Sequence, residues 1–326
     1  MKIRLIACLI VCLAFCPSAG RAAPGAMAAG PNDFDRFNHA SPPSERQSPE
    51  IAPEFKALLA RGEIALRSKR YDEVISMFSA ALQSRPPHAA ALIMLRLRSD
   101  AYIEKGDLDR ALVDGNEMIR LDPRHFRGYQ VRGRVYRRKG QLDKAIIDLN
   151  VALGLNPTFA QLYNNRGVAY SDKREDRRAI EDFNQAIRLA PQSIDGYVNR
   201  GGSFFSLRDF AKAMADYNVA IRMAPRDGDA YFNRGLIYQK TGDLRRAIAD
   251  YTTAARLNPD DPAAYEALAE ANAQTGDFDS AIKFQKQAIA TKTVRPSGLE
   301  AMRKRLRRYE AHEPVRGELQ MRKAPH

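Results

Sequence analysis

Five prolines, Pro123, Pro157, Pro191, Pro225 and Pro259, recur every 34 residues without slippage. A period of that length describes one supersecondary unit, too small to bury an apolar face alone and copied so that each unit packs on the next. The words around the prolines recur with them: Tyr163-x-x-Arg166-Gly167-x-x-Tyr170, then Ala179-Ile180-x-Asp182-Phe183, then Ala186-x-x-Leu189-x-Pro191. Large residues at Tyr136, Tyr170, Phe204 and Tyr238, with Leu149, Phe183, Tyr217 and Tyr251, fall at helical spacing and read as packing. Lys139-Gly140, Thr241-Gly242-Asp243 and Thr275-Gly276-Asp277 supply residues that end one helix and start the next. Each proline then closes its second helix, because it has no amide hydrogen for the ladder. The expectation is an all-α chain.

These motifs resemble the tetratricopeptide repeat family, whose unit is a helix–turn–helix of 34 residues. The resemblance implies a solenoid of about seven repeats, in registers 55–88, 92–125, 126–159, 160–193, 194–227, 228–261 and 262–295, or about 240 of the 326 residues. A three-residue insertion, Ala89 to Ala91, separates the first and weakest unit from the rest. Gly133, Gly167, Gly201 and Gly235 are expected where the first helix crosses the second most closely, facing the small residues Ala145, Ala179, Ala213, Ala247 and Ala281. In 296–326, Ser297-Gly298-Leu299-Glu300 reads as a capping box, and Leu299, Met302, Leu306 and Tyr309 form the apolar stripe of a helix that caps the last repeat.

One departure from the family's usual pattern is regular. Arginine stands just before the glycine position at Arg98, Arg132, Arg166, Arg200 and Arg234, and sixteen residues later comes Asp114, Asp148, Asp182, Asp216 or Asp250. In the last repeat both members change, to Leu268 and Phe284, while the first breaks the rule with Arg61 opposite Met77. Five ion pairs bridging the two helices of a repeat are the structural expectation; a ladder of ligand-binding arginines is the functional one.

The amino terminus reads as an export signal. Lys2 and Arg4 precede an uncharged apolar run from Leu5 to Phe15, then Pro17 and small residues ending near Ala28, which makes 1–28 a signal peptide with cleavage after Gly20, Ala22 or Ala28. Leu13-Ala14-Phe15-Cys16 departs from a lipoprotein signal at the phenylalanine, and the run is short for a membrane span. All three cysteines, Cys8, Cys12 and Cys16, lie in this segment, so the mature chain has no thiol. Residues 29–54, with Pro31, Pro42, Pro43, Pro49 and Pro53, read as a disordered linker in which Phe34 and Phe37 are a solvated pair or a short docking motif. The location expected is the periplasm.

Removing Lys2, Arg4 and Arg21 takes the net charge from +13 to +10. From Lys292 onward ten basic residues face four acidic ones, a solvated helix face or a contact for an anionic surface. A second concentration, Arg127, Arg132, Arg134, Arg137, Arg138 and Lys139, has no acidic neighbour along its helix. The export signal and the lack of a binding motif disfavour nucleic acid.

The family resemblance implies a ligand groove lined by the first helix of each repeat. Its positions map to Arg127, Gln130, Arg134, Arg137 and Arg138, then Gln161, Asn164 and Asn165, then Asn199 and Asn233. Asparagine both donates and accepts, so the row either grips the backbone of an extended peptide or satisfies neighbouring backbone groups. The family's carboxylate clamp is not reproduced, since Asp195, Asp229, Val198 and Phe232 stand where it needs positive charge or polarity. His39, His88, His125, His312 and His326 are scattered, and no phosphate loop, nucleophile elbow or zinc motif appears, which argues against an enzyme and against a cofactor. Asp260-Asp261 and Glu175-Asp176 fall at turns and are read as helix caps. The functional expectation is an exported scaffold holding an extended or acidic segment of an envelope protein. The alternatives are an electrostatic tether through the basic tail and an accessory subunit of a cell-envelope enzyme complex.

Overall fold

The computed structural model describes residues 51–292 and 296–313. The assigned leader, most of the linker including Phe34 and Phe37, and the tail past 313 lie outside the described residues. Those described form fifteen helices and no strand. In chain order they are α1 (Pro53–Arg67), α2 (Tyr71–Gln83), α3 (His88–Lys105), α4 (Leu108–Leu121), α5 (Phe126–Arg138), α6 (Leu142–Leu155), α7 (Ala160–Asp172), α8 (Asp176–Leu189), α9 (Ile194–Ser206), α10 (Phe210–Met223), α11 (Gly228–Lys240), α12 (Leu244–Leu257), α13 (Pro262–Thr275), α14 (Phe278–Ala290) and α15 (Pro296–Glu310). Seven helical hairpins stack in series, and α15 packs on α14.

The boundaries follow local chemistry. Each second helix from α4 to α12 stops two residues before its proline. Asp107, Asp209, Asp243 and Asp277 cap the second helices by accepting from the backbone N–H groups of Arg110, Lys212, Arg246 and Ser280, and Asp227 and Asp261 cap α11 and α13. Glu175 does not cap α8; its carboxylate turns instead to Lys173 at 3.1 Å and Arg178 at 2.5 Å. The first helix starts at Pro53 rather than after 54, because proline's fixed φ suits a first helical position. Likewise α15 begins at Pro296, which places Ser297 inside the first turn instead of at the cap. The inserted Ala89–Ala91 adds helix rather than loop, so that α3 has 18 residues where α5 has 13.

Close approach of the two helices is the packing theme. A Cβ at Gly167 would lie 2.6 Å from the Phe183 ring, at Gly235 2.7 Å from Tyr251, at Gly201 2.9 Å from Tyr217, and at Gly133 3.1 Å from Leu149. Gly62 occupies the same place against Phe78, and Ser99 fills it in the second repeat, donating to the Ala111 carbonyl at 3.3 Å. The facing alanines 145, 179, 213, 247 and 281 are fully buried. At the carboxyl end Met302 and Tyr309 are buried, and Tyr309 packs with Ala269, Ala273 and Ala281, which covers the last hairpin. Successive first helices touch one another, α3 with α5, α5 with α7, α7 with α9, and α9 with α11, whereas second helices make no comparable contact with each other. The first helices therefore line the array's inner face.

Every hairpin turns through one left-handed residue. Glycine takes it at Gly106, Gly140, Gly242 and Gly276, but Arg174 and Arg208 hold the same place with φ of 65° and 61°. The closing bonds match nonetheless, Gln141 N–H to Tyr136 C=O and Glu175 N–H to Tyr170 C=O, both 2.9 Å. A side chain in this region is strained where glycine is not. Replacing Arg174 or Arg208 by glycine is expected to stabilise the fold by about 0.5–1 kcal/mol each, read as a higher urea midpoint; an unmoved or lower midpoint would show that these turns carry no strain.

Candidate functional site

The inner face is built on a column of arginines. Arg132 donates through Nε and Nη2 to the two oxygens of Asp148 at 2.7 and 2.8 Å, and the same fork recurs at Arg98–Asp114, Arg166–Asp182, Arg200–Asp216 and Arg234–Asp250. Each pair spans the two helices of one repeat. The remaining Nη1 reaches back to the second helix of the preceding repeat, to Ser79, Asn116, Asn150, Asn184 or Asn218. One guanidinium thus ties three helices. This third partner is absent from the sequence reading, although an asparagine two residues after four of the five aspartates, at the same 34-residue period, carries the signal. Aromatic rings flank the cation: Arg166 stands 5.8 Å from the Tyr163 ring centroid and 5.9 Å from that of Tyr170. Where the pair is absent, Leu268 and Phe284 pack in the apolar core, and Arg61 turns outward to Glu73.

Burial pushes the Asp114, Asp182 and Asp216 carboxyls above the ordinary aspartate range, while the hydrogen bonds and charge of the paired arginine pull the other way. The carboxylate hydrogen bonds in turn raise the Arg132, Arg166, Arg200 and Arg234 guanidinium groups. The forks are therefore occupied structural pairs and hold no free charge for a ligand.

The basic helix α5 is paired as well. Arg134 bonds Asp100 at 2.7 Å, Arg137 bonds Asp172 at 3.2 Å, Arg138 lies 3.6 Å from Glu104, and Lys139 pairs with Asp109. The absence of acidic neighbours holds along the helix and fails across repeats, since Asp100 and Glu104 sit one full period before Arg134 and Arg138. Arg127 alone of these six has no hydrogen bond or ion pair among the described residues. It stands 5.2 Å from the ring centroids of both Phe126 and Phe159, and burial lowers its guanidinium below the usual arginine value.

Further along, the inner face is neutral and then acidic. Gln130, Asn164, Asn165, Asn199 and Asn233 are buried on the first helices. Gln161 donates to the Asn165 Oδ1 at 3.1 Å, and Asn199 donates to the Asn164 Oδ1 at 3.1 Å. These bonds leave Nδ2 of Asn164 and of Asn165 without an acceptor. Buried amide donors are normally satisfied, and an unused one costs about 1–3 kcal/mol. Phe159, Gln161, Asn164, Ala186, Ala190, Ser193 and Asp195 line a cleft of about 350 Å³ at the start of α7 and α9. Burial, and then the negative charge of Asp227, raise the Asp195 carboxyl above its ordinary value. No group of His, Cys, Asp and Glu among the described residues has the arrangement of a metal site.

With this geometry in view, the likenesses to known proteins are consistent. Tetratricopeptide repeat models match residues 59–126, 160–193, 201–271 and 262–292, and a TPR repeat model matches 133–173. The chain belongs to the tetratricopeptide repeat family. No curated protein matches it in sequence. Among solved structures, a tetratricopeptide repeat protein from Parabacteroides merdae is 17% identical, covering 79% of this chain and 100% of its own, with a TM-score of 0.59. PilF of Pseudomonas aeruginosa is 14% identical over 69% of this chain and 99% of its own, with a TM-score of 0.56. A thermophilic TPR protein of Thermus thermophilus is 24% identical over 57% of this chain and 99% of its own, with a TM-score of 0.52. These likenesses establish the fold.

The column gives a direct test. Asp182→Ala strands the Arg166 guanidinium at a site where the aspartate side chain is only 6% exposed, and is expected to destabilise the array by about 3 kcal/mol in urea unfolding. The double variant Arg166→Met, Asp182→Leu should recover most of that loss. An unchanged midpoint for Asp182→Ala would remove the column from the account of stability.

Proposed function

We propose that this chain is an exported scaffold whose inner face holds an extended segment of another envelope protein. One observation carries the reading: the buried Asn164 and Asn165 each keep an amide donor with no acceptor on the face made by the first helices. Carbonyl groups of an extended backbone would complete them, and such a segment has carbonyls at regular intervals with no demand on its side chains. Because Arg134, Arg137 and Arg138 are spent on Asp100, Asp172 and Glu104, a preference for an acidic segment rests on Arg127. Export and a periplasmic address rest on the apolar run Leu5 to Phe15 with its basic flank. An accessory subunit of an envelope enzyme would use the same face, differing only in the partner.

The tether is a second reading with its own support. On α15, Arg303 and Lys304 are exposed and have no partner among the described residues, whereas Arg305 is held by Glu266 at 2.8 Å and Arg307 by Glu300 at 3.1 Å. Affinity capture from cell-envelope extract separates the two, using the full chain, an Arg127→Glu, Asn165→Ala variant and an Arg303→Glu, Lys304→Glu variant, each checked for helicity. A protein retained at high salt and lost only from the first variant is the expected result. Loss only from the second, abolished by salt, would replace the groove with the tether, and equal capture by all three would sink both.

A further inference from the structure

The cleft between the starts of α7 and α9 has a chemistry of its own. Asn164 Oδ1 is taken by Asn199, so the orientation of the Asn164 amide is set and its Nδ2 is the spare donor on a residue only 3% exposed. Asp195 stands in the same cleft. Among the described residues no hydrogen bond or ion pair reaches its carboxylate. The nearby arginine on its own helix, Arg200, is committed to Asp216 and Asn184. The only charge acting on Asp195 is the carboxylate of Asp227, the cap of α11, and like charges add to the cost of burial. This differs from the array elsewhere, where the partly buried aspartates at 100, 114, 148, 172, 182, 216 and 250 each meet an arginine.

The walls add the third requirement. Phe159, Ala186 and Ala190 are apolar, Gly196 opens the floor, and the volume of about 350 Å³ is in the lower part of the ~300–1,000 Å³ range of clefts that hold small ligands. An apolar shaft with a carboxylate and a single amide donor is complementary to an aliphatic stem that ends in a cation and starts beside a carbonyl. Lysine and arginine within a peptide have that form, because their methylenes bury while the charged head finds its counter-ion.

We propose that this cleft is a specificity subsite for one lysine or arginine of the bound segment, with Asp195 taking the cation, Asn164 Nδ2 donating to the backbone carbonyl of that residue, and Phe159, Ala186 and Ala190 flanking its stem. The proposal rests on the groove reading above and adds the identity of one side chain. It also sets direction: the basic residue lies at α9, and Arg127 waits one repeat earlier for an acidic one.

The test uses the full chain on a synthetic array of N-acetylated, C-amidated dodecapeptides of varied sequence, which removes terminal charges as an explanation. Wild-type protein is expected to select peptides with lysine or arginine at one common position. For a selected peptide, exchanging that residue for norleucine should weaken binding at least tenfold with wild type and less than twofold with Asp195→Asn, an isosteric change at a helix start. Selection with no basic position, or a norleucine penalty equally large with Asp195→Asn, would overturn the subsite and leave the groove standing. No peptide held above background by wild type, with Arg127→Glu, Asn165→Ala giving the same blank, would overturn the groove and the subsite together.

Discussion

The arginine that stands before the glycine position sets the terms for the rest of this molecule. It crosses to an aspartate on its own second helix by a two-pronged bond and reaches back by its third nitrogen to the preceding repeat. A charge held in this way is costly to bury and costlier to strand, so it discriminates against any other register of the two helices more than it adds net stability. Because the link to the previous repeat uses the same guanidinium, the rotation of one hairpin on the next is tied to the crossing inside each hairpin. The close approach at Gly133, Gly167, Gly201 and Gly235 makes the geometry reachable, since a side chain there would force the helices apart and open the fork. An array that repeats this node five times presents its first helices in a row, and that row is the surface on which function depends.

The charge on that surface is arranged rather than simply abundant. The helix richest in arginine neutralises itself against carboxylates one repeat away, so a net charge of +13 is a poor guide to where a partner would feel a field. What remains unspent is local: one arginine beside two phenylalanine rings, two buried amides without acceptors, one aspartate without a cation, and two basic residues on the last helix. Isolated unsatisfied groups in a low-dielectric setting contribute more to selectivity than a broad field does, because each penalises a ligand that lacks its complement.

Much of the fold was legible because its causes are local. The prolines mark helix ends by what they cannot donate, the glycines mark crossings by what they lack, and a 34-residue period multiplies both signals. The Arg–Asp pairing was legible too, because both members change together at Leu268 and Phe284. The reading of α5 as an unpaired basic patch failed for a matching reason: it looked along one helix, while Asp100 and Glu104 sit on the equivalent turn of the helix before. The asparagine at Nη1 escaped because its bond crosses from one repeat to the next. Arg174 and Arg208 show the converse, since the turn keeps its left-handed residue even where glycine is missing, and the surrounding bonds impose what the residue alone would not choose.

By itself, the sequence determined that the chain is helical, where each hairpin begins and ends, and which side chains face inward, because those follow from hydrogen-bond availability and volume at each position. Only the tertiary structure decided which charges are spent and which are left. A basic residue is free or paired according to what stands across a helix interface some 34 residues away, and Asp195 and Asn164 become neighbours only when two repeats are stacked.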